Sequence, residues 1–268
     1  MHTRTTIALA AAGAATSTAF SAPAFDQNVT PDVIFGSGNA NGSYTVDRSS
    51  GVEIGLRGKL RFNSANSPEN TFNSNGDGSY TFQAGNAPGG FNFDPNSSTT
   101  PVWNFEWSVN TDYDGSSGLA LDDLTYELSM DADPSSGVNA MAFDPITIAA
   151  GDLISDHAFG DNSTGNGGGV EASNALTPFV DGSNTNYDEL IAQNNVAQNS
   201  WSYEFFNDSG PLAAFDPNDI GEYEISLAAF QADGSEVSRS TITINVVPTP
   251  GSASLLALGG LVATRRRR

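Results

Sequence analysis

Hydrophobic and polar residues alternate with a period of two along most of the chain between residues 43 and 247. The alternation is clearest in four runs, at residues 52–62, 103–109, 124–130 and 201–205. Successive side chains of a β-strand point to opposite faces of the sheet. Each run therefore predicts a strand that buries one face and exposes the other to solvent, as antiparallel sheets do.

The last two runs, 223–229 and 242–246, flank Asp233 and Gly234, a dipeptide that favours a hairpin turn. Shorter strands are predicted at residues 43–46, 79–83, 146–148 and 152–157, and one short helix at 187–194 with Asn186 as its N-cap. About eight to eleven short strands separated by Gly, Asn, Asp and Pro predict an all-β fold, an antiparallel β-sandwich of immunoglobulin-like or jelly-roll-like type.

The charge of the chain is strongly negative, at −21. All 31 acidic residues lie between Asp26 and Glu236, and residues 25–247 contain only five basic residues, so this part of the chain carries −26. Such a field repels phosphates, which excludes nucleic acid as a partner. The chain contains no cysteine, which excludes disulfides, thiolate catalysis and cysteine-ligated metals.

The N-terminal residues 1–24 have the features of a secretory signal peptide. Arg4 supplies a positive start, residues 7–15 are apolar, and small residues surround Pro23. We expect cleavage after Ala24, with Ala19 as the second choice. The sequence therefore predicts an exported protein whose folded body spans residues 25–247.

The C-terminal residues 248–268 combine two prolines, a short apolar segment and four arginines. Residues 251–264 carry no charge, and as a helix they would measure about 21 Å against a hydrocarbon core of about 30 Å. Arginine side chains can extend such a helix by reaching the interface, and they favour the cytoplasmic side. The segment predicts a C-terminal hydrophobic helix that is short for a permanent membrane span.

This C-terminus resembles the PEP-CTERM sorting signal, in which a Val-Pro-x-Pro tag precedes a short hydrophobic helix and terminal arginines. The residues that match are Val247, Pro248, Thr249, Pro250, Gly251, Arg265, Arg266, Arg267 and Arg268. The resemblance implies a transient membrane anchor, an exosortase as processing partner, and delivery to the cell surface or an exopolysaccharide matrix. Thr249 replaces the usual Glu, which leaves the identity of the processing enzyme open.

Stretches of the body also resemble exported PEP-CTERM proteins, among them "WNFEWSVNTDYDGSSGLALDDLTYELSMDADP". That similarity implies an extracellular β-rich domain and supplies no activity. The last hairpin is similar to the closing strands of immunoglobulin-like or PKD-like sandwiches.

Two kinds of catalysis fit the sequence poorly. A Ser-His-Asp triad in the mature chain would have to use His157, which we expect instead to end a strand and to pair with Asp156 or Asp161. Glycoside hydrolysis needs two carboxylates in a sugar-sized cleft, but Trp103, Trp107 and Trp201 are predicted to belong to the core. The sequence therefore favours a protein that is not an enzyme.

Calcium is the better chemical hypothesis. Asn110, Asp112 and Asp114 precede Gly115 at alternate positions, which resembles the opening of an EF-hand or dockerin loop. The first acid after the loop, Asp122, falls one position late for the closing ligand. A second cluster, Asp131 and Asp133, would share the ion if the two loops meet at one end of the sandwich. The alternative is that these Asp residues cap turns, with no cofactor required.

Two further features of the body are a cationic strand face and a glycine-rich tract. Arg57, Lys59 and Arg61 lie on one face of a strand, where they either pair with acids across the sheet or bind an acidic glycan. The glycine-rich tract 160–169 is predicted to be a flexible exposed loop.

Taken together, these features predict an exported, non-catalytic surface or matrix protein. The alternatives are a carbohydrate- or exopolysaccharide-binding adhesin module and, third, a secreted glycoside hydrolase.

Overall fold

Strands dominate the structure, a computed structural model that describes residues 22–61, 69–85, 100–147, 156–173, 186–206, 216 and 218–249. The strands are β1 Ala24–Gln27, β2 Tyr44–Ser49, β3 Val52–Leu60, β4 Ser79–Gln83, β5 Trp103–Asn110, β6 Thr125–Asp131, β7 Ala140–Phe143, β8 Ala158–Gly160, β9 Val196–Trp201, β10 Gly221–Phe230 and β11 Glu236–Val247. One helix, α1, spans Tyr187–Gln193, and short 3-10 turns occupy Leu121–Asp123 and Tyr203–Phe206.

The strands form two sheets, which confirms the all-β prediction. The six-stranded sheet has the order β1-β2-β3-β5-β9-β8, and the five-stranded sheet has the order β4-β11-β10-β6-β7. All pairs are antiparallel except β4 and β11, which run parallel. The second sheet is therefore mixed, and the expectation of a purely antiparallel sandwich is wrong at this edge.

The main core lies between the two sheets. It contains the apolar faces of β3, β5, β6, β10 and β11 together with three buried tryptophans, Trp103, Trp107 and Trp201. Gly58 allows the sheets to approach closely, because a Cβ atom there would lie 2.9 Å from side-chain atoms of both Ile244 and Phe82. The prediction that the tryptophans belong to the core is confirmed.

The predicted hairpin near the C-terminus forms as expected. β10 and β11 pair from Gly221 opposite Val246 to Phe230 opposite Glu236, and Gly234 adopts a positive φ of 82° in the turn between them. The Ser235 amide donates to Oδ1 of Asp233 at 2.9 Å, which fixes the turn through its own side chain.

The other face of the six-stranded sheet is also buried, so the expectation that each strand exposes one face is wrong here. Every residue of β5 and all but the last of β3 are buried. Residues 28–42, which we call the covering segment, lie over this face. Val29 and Val33 of this segment pack against Tyr44 and Val46 of β2.

Between the covering segment and the sheet lies a layer of polar side chains. Glu53 accepts the amide N–H of Thr30 at 2.7 Å, and Gln198 accepts the amide N–H of Ile34 at 2.8 Å. Gln198 also donates to the carbonyl oxygen of Asp32 at 2.8 Å. Backbone groups of the covering segment are thus satisfied by side chains of the strands, as buried backbone groups require.

The centre of this polar layer is the fully buried carboxylate of Glu106. Arg57, directly opposite it in the register, places Nη2 at 2.5 Å and Nε at 2.6 Å from Oε2. Lys59 places Nζ at 3.1 Å from Oε1. The Arg57 guanidinium also donates to the carbonyl oxygens of Ala40 and Gly42. The predicted pairing of these cations with an acid across the sheet is therefore confirmed for Arg57 and Lys59.

The remaining local predictions have mixed outcomes. Helix α1 forms where it was expected, but the Asn186 side chain accepts the Ser173 amide at 2.8 Å and does not cap the helix. Residues 203–206 form a 3-10 turn where a strand was predicted, and residues 146–147 are not in a strand. Most of the predicted strand 152–157 and the predicted C-terminal helix lie outside the described residues.

Loss of the Glu106 charge should destabilise the fold strongly. Glu106→Gln leaves Arg57 in a dry interior without its anionic partner, a defect that typically costs about 3 to 5 kcal/mol. The matched control is Glu127→Gln, which removes a half-exposed carboxylate 3.8 Å from Arg239 and should cost about 0 to 1 kcal/mol. Urea unfolding of both variants measures the difference. Equal costs would contradict a central role for Glu106.

Candidate functional site

An open groove of about 890 Å³ lies where β4 and the end of β11 meet the end of β3. Its lining mixes polar residues, most of them neutral, with apolar ones. The polar lining consists of Glu69, Thr71, Asn73, Ser74, Asn75, Thr81, Gln83 and Thr249. Amide and hydroxyl groups of this kind can donate and accept hydrogen bonds with a neutral polar ligand. The described lining contains one carboxylate, that of Glu69, whereas glycoside hydrolysis uses two.

The predicted sorting residues lie at this groove as far as the structure describes them. Val247 is the last residue of β11 and pairs with Gln83 of β4. Pro248 is exposed, and Thr249 lines the groove. Pro250, Gly251 and Arg265–Arg268 lie outside the described residues. The folded body therefore reaches the residue at which the predicted signal begins.

The first candidate calcium loop is stabilised by its own backbone. Oδ1 of Asp112 accepts the amide N–H groups of Ser117 at 2.8 Å and Gly118 at 3.0 Å and the Ser117 hydroxyl at 3.0 Å. The hydrogen bond from the Gly118 amide, followed by those from Ser117, lowers the pKa of Asp112 although its slight burial opposes this. Oδ1 of Asp114 accepts the Ser116 amide at 3.0 Å. Both carboxylates thus have a role in the turn without an ion.

The side chain of Asn110 belongs to a cluster of hydrogen-bonded amides and does not point at a free calcium-binding position. Its Oδ1 accepts from Nδ2 of Asn195 at 2.8 Å and from the Asp112 amide at 3.0 Å. Its Nδ2 donates to Oδ1 of Asn162 at 2.8 Å and to the carbonyl oxygen of Thr30 at 3.0 Å. The side chain of Asn110 thereby joins β5 to the covering segment and to the loop after β8.

The second candidate calcium cluster lies at the other end of β6. Oδ1 of Asp131, the last residue of β6, accepts the amides of Asn139 at 2.9 Å and Asp133 at 3.2 Å, and Oδ1 of Asp133 accepts the Ser135 amide. Asp122 precedes the start of β6. The first and last residues of this seven-residue strand lie about 20 Å apart. The two loops therefore do not meet, and the condition for one shared ion is not fulfilled.

His157 is enclosed by aromatic rings. The rings of Trp107, Phe159, Tyr187 and Trp201 lie 5.0 to 6.0 Å from its own ring centroid to centroid. Because a carbonyl oxygen only accepts, Nε2 must carry the proton that is donated to Pro145 O at 2.8 Å. Nδ1 then accepts from the Asn199 side chain at 3.1 Å.

These contacts leave neither ring nitrogen of His157 available for another partner. It pairs with neither Asp156 nor Asp161, as its two ring nitrogens bond to Pro145 and Asn199, so that expectation is wrong. A buried imidazole with both nitrogens engaged also cannot serve as the base of a Ser-His-Asp triad.

Sequence reasoning missed the asparagines that hold the loops together. Asn162 donates to the Asp112 carbonyl at 2.6 Å, and Asn166 donates to the carbonyls of Val33 and Asn39. Both belong to the glycine-rich tract 160–169, which is thus tied to the covering segment and is not a free loop. The sequence feature that could have revealed these asparagines is a loop rich in asparagine rather than in lysine or glutamate, because a side-chain amide can both donate and accept hydrogen bonds.

No protein-family model, no curated protein and no solved structure matches this chain. Within the described ranges, no three His, Cys, Asp or Glu side chains gather closely enough to hold a metal ion. The helices of the same ranges all lack the length and apolar character needed to cross a bilayer.

The turn geometry predicts that Asp112 stabilises the protein without calcium. Asp112→Ala removes the acceptor of two amides and one hydroxyl, which should lower the free energy of unfolding by about 1 kcal/mol. Asp114→Ala, which loses a single amide contact, should cost less. The melting temperature should be the same in excess calcium and in excess chelator. A chelator-dependent drop that disappears in Asp112→Ala would instead establish the calcium site.

Burial of His157 predicts a loss of stability in mild acid. Burial lowers its pKa to about 4 against an ordinary value of 6.5, so the unfolded chain takes up the proton first as the pH falls. The contribution is complete above pH 6.5 and is lost toward pH 4, a change of about 3 kcal/mol. His157→Gln keeps a donor and an acceptor but does not titrate. Denaturant unfolding at pH 7 and pH 4.5 should show a smaller acid loss in this variant, and identical losses would refute the assignment.

Proposed function

We propose that this chain is an exported, non-catalytic protein of the cell surface or extracellular matrix, sorted through a PEP-CTERM-type C-terminal signal. The observation that carries the proposal is the position of the fold between the two signals. The described strands begin at Ala24 and end at Val247. Pro248, the residue after the last strand, is exposed. Removal of either signal therefore leaves the two sheets in place, with at most Ala24 lost from edge strand β1.

The body in this proposal is a sandwich of immunoglobulin-like or jelly-roll-like type with asparagine- and aspartate-rich loops on its surface. Its loops are held by their own side chains, which suits a protein exposed to varying ion concentrations outside the cell. The strongly acidic surface repels anionic polymers and lipids, so retention falls to the C-terminal tail and not to the surface charge.

The tail acts in this proposal as a brief membrane anchor. Residues 251–264 form the hydrophobic helix, and Arg265–Arg268 stay on the cytoplasmic side while the body is outside. An exosortase-type enzyme recognises the tag around Pro248 and Pro250 and releases or transfers the body.

A carbohydrate-binding module is the second candidate, and the groove beside β4 favours it. The side-chain amides of Asn73 and Gln83 among its lining residues can pair with sugar hydroxyls. The three tryptophans, which could otherwise stack on sugar rings, are buried in the core. The candidate therefore rests on hydrogen bonding alone and ranks behind the sorted surface protein.

Intact-mass measurement of the protein taken from its native cells tests the proposal. The mature chain should lack residues 1–24, or 1–19 if the second cleavage position is used. It should also be cut near the Pro248 tag. A variant in which Arg265–Arg268 are replaced by serine should lose membrane retention and escape C-terminal cutting, while keeping the N-terminal cleavage. A mature protein that still begins at Met1 would disprove export, and one cut at the N-terminus with an intact tail would disprove sorting.

A further inference from the structure

Lys59 is the only lysine of the chain, and it is buried. Its Nζ atom lies 2.5 Å from Oδ1 of Asn39 and 3.1 Å from Oε1 of Glu106. The first distance is below the usual range of an N–H···O hydrogen bond, so the amine is already in contact with the carboxamide. A primary amine, a carboxamide and a carboxylate thus meet inside the polar layer.

The surroundings of Lys59 favour its neutral, nucleophilic form. Burial is the largest influence and lowers its pKa; Glu106 opposes this, and Arg57 and Arg61 add to the lowering. Glu106 has its charge balanced by the guanidinium of Arg57, with Nη2 2.5 Å away. If Lys59 were charged, the single carboxylate of Glu106 would have two cations beside it, which disfavours the ammonium form. Desolvation of this kind is the standard way to activate a lysine amine.

Asn39 is held with its carbonyl toward the amine. Its Nδ2 donates to the carbonyl oxygens of Phe35 at 2.9 Å and Gly36 at 3.3 Å, which turns Oδ1 toward Lys59. Gly36 permits this arrangement, because a Cβ atom there would lie 3.0 Å from Nδ2. Asn39 is half-buried and lies between the exposed residues Gly38 and Ala40, so a departing ammonia has only a short distance to travel to solvent.

The turn that carries Asn39 is fixed from both sides. Asn70 accepts the amide of Ala40 at 2.9 Å and donates to the carbonyl of Gly38 at 3.0 Å. Asn166 donates to the carbonyl of Asn39 at 2.6 Å and accepts the amide of Gly38 at 3.1 Å. Such clamping keeps two reacting groups in contact, which is what an intramolecular reaction needs.

We propose that Lys59 and Asn39 form an intramolecular isopeptide bond, with Glu106 as the group that transfers the proton. The neutral amine of Lys59 attacks Cγ of Asn39, and a C–N bond forms. Glu106 Oε1 accepts a proton from Nζ and returns it for the departing amide nitrogen. The Cγ–Nδ2 bond breaks, and one ammonia leaves. The reaction involves no oxidant, reductant or further reactant, since an amide replaces an amide.

The bond would join the covering segment to β3 covalently. It would close a loop between residues 39 and 59 and restrict the unfolded chain as a disulfide does. The chain has no cysteine and so has no disulfide with which to do this. The reaction requires the folded arrangement, because only the fold removes water from Lys59 and brings Asn39 to it.

Intact mass of the purified full chain after denaturation tests the bond. We expect a mass lower than that of the unmodified chain by one ammonia molecule. Trypsin should then leave residues 58–61 joined to the peptide that ends at Arg48, because an acylated Lys59 is not cleaved. An amine-reactive label applied to the denatured protein should modify the N-terminus and leave Lys59 unlabelled.

Variants separate this reaction from other sources of ammonia loss. Lys59→Arg places a guanidinium beside Glu106 and has no lysine amine to acylate, and Asn39→Ala lacks the carboxamide; each should have its full calculated mass. Asn75→Ala is the control, because Asn75 precedes glycine in an exposed hairpin, where asparagine cyclises most easily; this variant should still lose ammonia. An unmodified mass with a reactive Lys59 overturns the proposal. Loss of ammonia with Lys59 still reactive also overturns it, because that result indicates cyclisation of an asparagine.

Discussion

A carboxylate can be buried in a dry interior only when positive groups and hydrogen bonds replace its water, and Glu106 shows what this requires of the surrounding chain. Arg57 supplies the positive charge from the neighbouring strand, and the amine of Lys59 lies beside the other carboxylate oxygen. Arg57 in turn needs acceptors for its remaining N–H groups, and it finds them in the backbone of the covering segment at Ala40 and Gly42. One buried charge therefore determines how an irregular segment must lie on a sheet.

The same need to satisfy buried polar groups explains how the whole covering segment lies on the sheet. A segment without regular structure leaves its backbone groups unpaired, and burying them is unfavourable unless side chains satisfy them. Glu53, Asn110 and Gln198 do so from three adjacent strands. The two faces of the six-stranded sheet are thus buried by different means. One face packs its apolar side chains against the second sheet, and the other forms hydrogen bonds with the irregular covering segment.

The position of β11 links this construction to the proposed fate of the protein. β11 pairs with β10 on one side and β4 on the other, so the last strand before the tail lies inside its sheet. The five-stranded sheet is therefore fully formed only when the chain has folded up to Val247. Beyond that residue, Pro248 is exposed and cannot continue the ladder. A signal that follows directly can be held or cut without disturbing the sheet.

The sequence by itself determined the all-β class, the position of β4, the final hairpin and the core role of the tryptophans, because period-two alternation and Asp-Gly turns are local properties of the chain. It also identified a cationic stripe that pairs across strands. Only the tertiary structure decided which face of each strand is covered, since alternation separates two faces without saying what lies on them. Asn39, Lys59 and Glu106 meet from three separate segments, and Asp122 and Asp131 lie at opposite ends of β6. Neither arrangement is encoded in a local pattern of residues.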